Sequence, residues 1–170
     1  MLSDTMIKAL NDQINAELYS AYMYMSMNAY FKSISLDGFA AWMHAQAVEE
    51  TEHAQKIYDF VNQRGGRVVL GAIDAPPKDW ASPLAVFEET LAHEQKVTGL
   101  INDLMEVALA EKDHATQIFL QWFVTEQVEE EENVGGVLEQ LKLMGAAQGG
   151  LFMLDRELGK RGGESGGEEA

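Results

Sequence analysis

Glu17 is followed 33 residues later by Glu50 and, one helical turn on, by His53. Glu94 is followed at the same interval by Gln127 and then Glu130, so each member of the second set lies 77 positions after its counterpart in the first. Residues at i and i+3 share a helix face. Glu50 with His53, and Gln127 with Glu130, can therefore each send two ligands to one point. Four carboxylates converging inside a core need countercharge, because a buried carboxylate without a partner takes up a proton or is excluded. Two divalent cations would supply it, with Glu50 central enough to bridge them. Hard oxygen donors plus one imidazole suit iron and manganese and tolerate zinc, and the lack of thiolate argues against copper(I).

Four long segments with helical periodicity must position these residues. The first, from about Asp4 to Phe31, carries Ile7, Leu10, Ile14, Glu17, Ala21, Tyr24 and Asn28 on one seam; the second, from about Leu36 to Gln63, carries Phe39, Met43, Gln46, Glu50, His53, Ile57 and Phe60. A third begins after Ser82 and Pro83, a capping residue followed by a first-turn proline, and carries Phe87, Leu91, Glu94, Val97, Ile101, Leu104 and Ala108. The fourth, from about His114 to Leu143, carries Phe119, Phe123, Gln127, Glu130, Val134, Val137 and Leu141. All six candidate ligands replace hydrophobes on predicted core faces. Short turns at 33–37 and 111–113 make antiparallel neighbours of each helix pair. Residues 65–82 are long enough to run the length of a helix, though Glu50 and Glu94 lie near mid-helix and match with or without such a crossover. The expected fold is an all-α four-helix bundle with a long crossover between the second and third helices and a short fifth helix at 151–159. Residues 1–161 form the expected bundle domain, and the Gly- and Glu-rich 162–170 are expected to be a disordered tail.

Composition narrows the function. The chain has 170 residues, 46% of them hydrophobic, which suffices for one substantial core. No cysteine is present, which removes disulfides, thiolate metal sites and thiol nucleophiles together. A formal charge of −16 disfavours a nucleic-acid surface and attracts cations. Neither a membrane span nor a signal segment is suggested, so a cytoplasmic protein is expected.

Single glutamates on helices are usually solvated, and a lone Glu-x-x-His is common by chance; the weight rests on the repeated set and its apolar seams. Tyr24, two turns after Glu17, has two readings: a hydrogen bond to a ligand carboxylate, or a buried tyrosine satisfied elsewhere. Trp122 is expected to pack. Met23, Met25 and Met27 spread around the first helix as core filler or interface. Glu131 and Glu132 are expected to be a solvated face.

Glu17, Glu50-Thr-Glu-His53, Glu94 and Glu126-Gln127-Val-Glu-Glu130 resemble the ferroxidase centre of ferritins, and the similarity extends over about residues 3–160. Ferritin-like di-iron proteins are the known instance of a bundle that carries such a ligand set. Gln127 and Glu130 are more similar to the non-haem bacterial ferritins than to bacterioferritin, and Thr51 stands where the latter has its haem-ligating methionine. The resemblance therefore implies no haem. It implies one iron held by Glu17, Glu50 and His53, and a second by Glu50, Glu94 and Glu130. Gln127 would be a neighbouring ligand or hydrogen-bonder, and Tyr24 would belong to the catalytic set. A third iron site of the family matches Glu49, Glu126 and Glu129 together with Glu130. The implied function is oxidation of Fe(II) by dioxygen or peroxide and storage of ferric mineral in a 24-subunit homo-oligomeric shell. Alignment puts Gln117 and Leu120 where animal ferritins line three-fold pores with acidic residues, so iron is expected to reach this protein's interior by another way. A rubrerythrin-like di-iron peroxidase without storage is the alternative, lacking here the cysteine module of that family. A purely structural bundle is a third reading, and a DNA-protecting miniferritin is disfavoured by the absence of a basic tail. Because Gln127 answers Glu50 and Glu130 answers His53, the two metal positions should be unequal, with the Glu17/Glu50/His53 position the tighter.

Overall fold

The computed structural model describes residues 1–145 and 148–164. Helix α1 spans Asp4–Ser33, α2 Asp37–Gln63, α3 Pro83–Ala110, α4 His114–Met144 and α5 Gln148–Glu164, and no strand occurs among the described residues. The starts follow from local chemistry. Ser3, Ser82 and Asp113 each accept a hydrogen bond from the N–H three residues on, as helix caps do. Gly65, at φ 76°, ends α2 in the left-handed region where a side chain would strain the backbone.

The crossover is real, and hydrogen bonds show its course. Asn11 donates to Arg67 O at 3.1 Å, Asn15 to Ala72 O at 3.2 Å, and Ser26 to Pro77 O at 2.5 Å. Positions rising along α1 thus meet positions rising along the connection, so residues 64–82 climb the bundle beside α1. Helix α3 then starts level with the C-terminal half of α1 and descends antiparallel to it, as Thr90 against Met27 and Tyr24 against Glu94 require.

Helix α5 is longer than the expected 151–159 because it packs across the start of α2. Leu36 provides no side-chain cap for α2. Instead Asp155 Oδ1 accepts from the N–H groups of Gly38 and Phe39, at 2.8 and 3.0 Å. A Cβ on Gly38 would lie 1.6 Å from Asp155 O, so only glycine permits this approach. The expected tail boundary at 162 falls inside α5, and residues 165–170 lie outside the described residues.

The interior has two apolar clusters with a polar layer between them. One gathers Tyr24, Phe31, Phe39, Trp42, Phe87 and Leu138 toward the α5 end; the other gathers Leu10, Ile14, Ile57, Ile101, Leu104 and Phe123 toward the α1 N-terminus. Of the methionines in α1, Met23 and Met27 are buried and Met25 is exposed. Leu120 is fully buried in the second cluster, and Gln117 donates to Ala108 O at 3.0 Å. Within this chain Leu120 therefore packs in the core, not along a pore: its apolar side chain gains more from burial than from water.

Candidate metal centre

Glu17, Gln46, Glu50, His53, Glu94, Gln127 and Glu130 form the polar layer, and each is at most 5% exposed. Each helix places its members by the seam periodicity: Glu17 from α1, Glu50 and His53 from successive turns of α2, Glu94 from α3, Gln127 and Glu130 from α4. One ligand atom each from Glu17, Glu50 and His53 lie within 4.8 Å of one another, close enough to hold one cation.

The other members are occupied by partners within the protein. Tyr24 Oη donates a hydrogen bond to Glu94 Oε1. Gln127 Nε2 approaches Glu94 Oε2 at 3.2 Å and Thr98 Oγ1 at 3.4 Å. Gln46 Nε2 donates to Glu130 Oε2 at 2.7 Å, and Gln13 Nε2 donates to Glu17 Oε1 at 2.9 Å. Each ligand carboxylate on α1, α3 and α4 thus has an amide donor on one oxygen. Meanwhile Glu17 Oε2, Glu50 Oε2 and Gln46 Oε1 are buried with no fixed donor among the described residues, and the Glu17 and Glu50 carboxyls lie close enough to share a proton. Orphaned buried acceptors cost free energy of about 1–3 kcal/mol each, more when charged. Their clustering in one layer fits a cation bound there.

Electrostatics points the same way. Burial pushes the Glu17 carboxyl well above its ordinary range, with Glu50 adding to the rise. Burial also raises Glu50, helped by Glu94 and Glu130. In Glu94 burial again raises the carboxyl, opposed by the hydrogen bonds from Tyr24 and Gln127. The Tyr24 phenol is raised by burial and by the Glu94 charge, so it stays protonated and remains a donor. These shifts favour the protonated carboxyls when no cation is bound, and a divalent ion would compete with those protons.

The ring of His53 meets Trp122 and Phe123 edge-on, at centroid distances of 5.3 and 6.0 Å, which orients the imidazole. Trp122 is 38% exposed, with one edge against His53 and Phe123 and Lys56 Nζ 3.9 Å over its ring. Three residues near the layer were not singled out by the sequence pattern. Gln13 stands one turn before Glu17, just as Gln46 stands one turn before Glu50, and a search for glutamine at i−4 of each ligand would have found both. His93 is the third: burial pushes its imidazole down to about 4, with Lys96 adding to the fall. The Ser20 hydroxyl donates to Ala16 O at 3.1 Å and so receives the Nε2–H of His93 at 2.8 Å.

The acidic run on α4 divides differently from expectation. Glu131 is half-buried and accepts the Thr98 hydroxyl at 2.6 Å, so it is not part of a solvated face. Thr98 also approaches Gln127, and this draws Glu131 toward the α3 seam. Glu49 and Glu126 are half-buried and Glu129 is exposed, and among the described residues no other group brings three such ligand atoms within 4.8 Å.

Fold and site together define a four-helix bundle with a buried carboxylate and imidazole layer at mid-height. The chain belongs to the ferritin family: residues 7–144 match the model of the ferritin-like domain. Among its relatives, a bacterial non-heme ferritin of Bacteroides fragilis is 44% identical over 95% of this chain and all of its own length. One from Staphylococcus aureus is 42% identical over 95% of this chain and 97% of its own. An open pore ferritin from the hyperthermophilic archaeon Archaeoglobus fulgidus superposes with a TM-score of 0.93 at 53% identity, covering 94% of this chain and 98% of that one. No helix among the described residues is long and apolar enough to cross a membrane.

Proposed function

We propose that this protein is an iron-storage ferritin that oxidises Fe(II) at the interior site of each subunit and keeps the ferric product inside a 24-subunit shell in the cytoplasm. The observation that carries the reading is the cluster of Glu17, Glu50 and His53, buried and with donor atoms within 4.8 Å, together with orphaned oxygens on both glutamates. Iron is the substrate. Glu17, Glu50 and His53 hold one Fe(II), and Glu50, Glu94 and Glu130 receive the second, with Gln127 as a hydrogen-bonding neighbour. Residues 1–161 are the functional bundle, and 162–170 an appendage to it.

Each residue's part follows from its surroundings. Glu50 has a ligand atom within 4.8 Å of one on Glu17 and also feels the charges of Glu94 and Glu130, as a carboxylate shared between two cations would. Gln13 and Gln46 hold one oxygen of Glu17 and of Glu130 in place, and the second oxygen of Glu17 is left for the ion. Tyr24 keeps Glu94 oriented by donating a hydrogen bond to its Oε1. Two Fe(II) held together deliver two electrons to dioxygen, and two protons complete hydrogen peroxide; with peroxide as oxidant the product is water. The protons that leave Glu17, Glu50 and Glu94 as the cations bind are then available to the reduced oxygen. One imidazole among carboxylates holds ferric ion without closing its coordination sphere, which favours onward passage into storage.

Anaerobic Fe(II) titration of the metal-free protein, followed by oxygen and read with native mass, tests the reading. The expected result is two tightly bound Fe(II) per subunit, rapid oxidation, retained mineral and the mass of a 24-subunit shell. A monomer or dimer mass removes the shell, and a bound pair that oxidises without retained iron favours the peroxidase alternative. Glu49, Glu126 and Glu129 we assign to a third, weaker iron position together with Glu130. Glu129→Ala should change the iron oxidised per oxygen consumed, measured by paired oxygen-electrode and absorbance readings, while the first two Fe(II) still bind. An unaltered ratio counts against the third position.

A further inference from the structure

Gln13 is buried and its one side-chain hydrogen bond among the described residues is the 2.9 Å donation to Glu17. The same residue lines a cleft of about 210 Å³ between α1 and α3, walled by Leu100, Leu104 and Val107 and edged by the exposed Asp12 and Asp103. A second cavity of about 460 Å³ lies on the same seam, and Asp12 and Leu100 line both, so the two are one groove. His93 lines this larger cavity beside Val97. Its sequence neighbour is Glu94, and its ring meets Tyr24 edge-on at 6.4 Å. The floor of the groove therefore reaches the polar layer through Gln13 on Glu17, while His93 contacts Ser20 and the rings of Tyr19 and Tyr24.

We propose that this α1–α3 groove is the path by which divalent cations reach the buried layer, with Gln13 the residue that stands between the groove and Glu17. The proposal rests on the metal-binding reading of that layer. A divalent ion cannot cross a closed apolar core, because stripping its water without replacing it costs far more than folding free energies supply. The two apolar clusters close the bundle above and below the layer. Along α1–α3 the packing is interrupted by space and by a polar amide whose donor end already holds a ligand. A groove with low-dielectric walls and carboxylates at its rim focuses its field on cations. Two lysines oppose this: Lys8 pairs with Asp12, and Lys96 lines the larger cavity. Both are exposed, so their charges and those of Asp12, Asp74 and Asp103 set the rate at which cations arrive and leave the ligands themselves unaltered.

Anaerobic stopped-flow uptake of Co(II) by the metal-free protein, followed by its visible absorption, tests the path without any oxidation. Asp103→Lys should slow uptake roughly tenfold at low salt, with the difference shrinking at about 0.5 M salt and the final Co(II) per subunit unchanged. Lys96→Glu should accelerate it. Leu100→Trp, which fills the groove, should slow uptake at every salt concentration. Unchanged rates in Asp103→Lys and Lys96→Glu overturn the proposal, and because both positions are exposed that result is readable even if Leu100→Trp fails to fold. A lower final Co(II) count in Asp103→Lys overturns it as well, by making Asp103 a ligand. A wild-type protein that takes up Co(II) yet leaves Fe(II) unoxidised contradicts the ferroxidase reading and leaves these uptake rates as the measure of the path.

Discussion

Replacing Glu50 or His53 by alanine should slow aerobic oxidation of Fe(II) by about two orders of magnitude or more, with the helical content unchanged. The two residues are a turn apart on α2, both buried, with His53 Nδ1 3.5 Å from Glu50 Oε2. Loss of a residue that merely orients a ligand typically costs 10–100-fold in metal affinity or activity, and loss of a ligand costs at least that. Glu50→Ala should be the more damaging, because its carboxylate lies near that of Glu17 and also feels the charges of Glu94 and Glu130, so both proposed metal positions lose a donor. His53→Ala should affect the first position and leave Glu94 and Glu130 able to bind one ion weakly. Initial rates of absorbance growth after mixing Fe(II) with aerated protein measure both. Wild-type rates in either variant would remove the catalytic assignment.

The second large effect concerns the metal-free protein and pH. Glu17, Glu50 and Glu94 all have folded-state values raised by burial above those of the unfolded chain, for which glutamate lies near 4.3. The native state therefore holds protons that the unfolded state has released. Stability then falls as pH rises from the ordinary carboxylate range through the raised folded values, by up to about 1.4 kcal/mol for each pH unit per group. Thermal unfolding of the metal-free protein should show a Tm that declines as pH rises above the ordinary carboxylate range. Glu50→Gln, which keeps the shape and removes the charge, should flatten the decline and raise Tm at the alkaline end. A saturating divalent cation should do the same for the wild type, since binding to the native state alone stabilises it in proportion to the logarithm of concentration over Kd. A Tm of the metal-free wild type that is flat or rises over this range would show that the layer is not protonated as burial requires.

These two outcomes share one cause. The buried carboxylate layer is costly by itself, and the protein tolerates that because two apolar clusters on either side hold the four helices in place. The buried phenol and amides then reduce the cost on individual carboxylates: Tyr24 and Gln127 act on Glu94, Gln13 on Glu17 and Gln46 on Glu130. Removing these donors should weaken ion binding less than removing Glu17, Glu50 or His53 does, since each acts on a carboxylate and lies outside the group of ligand atoms within 4.8 Å of one another.

Periodicity alone placed Glu17, Glu50, His53, Glu94, Gln127 and Glu130 on core-facing seams, because a helix repeats its face every three to four residues whatever surrounds it. Local sequence also located the cap at Ser82, whose side chain acts on an N–H within one turn, while the cap at Asp113 reads in the sequence only as part of a turn. The partner of Tyr24 was not legible, since its seam position suited Glu94 or any other acceptor at that height. Nor was the difference between Glu131 and Glu132, because the Thr98 hydroxyl that draws Glu131 inward sits 33 residues away on another helix. The course of residues 64–82 was open for the same reason: both directions matched at mid-helix, and only Asn11, Asn15 and Ser26 bonding to successive carbonyls decided it. Local spacing thus determined that this chain is a helical bundle with a polar ligand layer. What tertiary structure alone decided is which layer residues hold one another and which are left to an ion. Helix spacing is a property of one chain segment, but a hydrogen bond across the bundle depends on how four segments are rotated and set in height against each other.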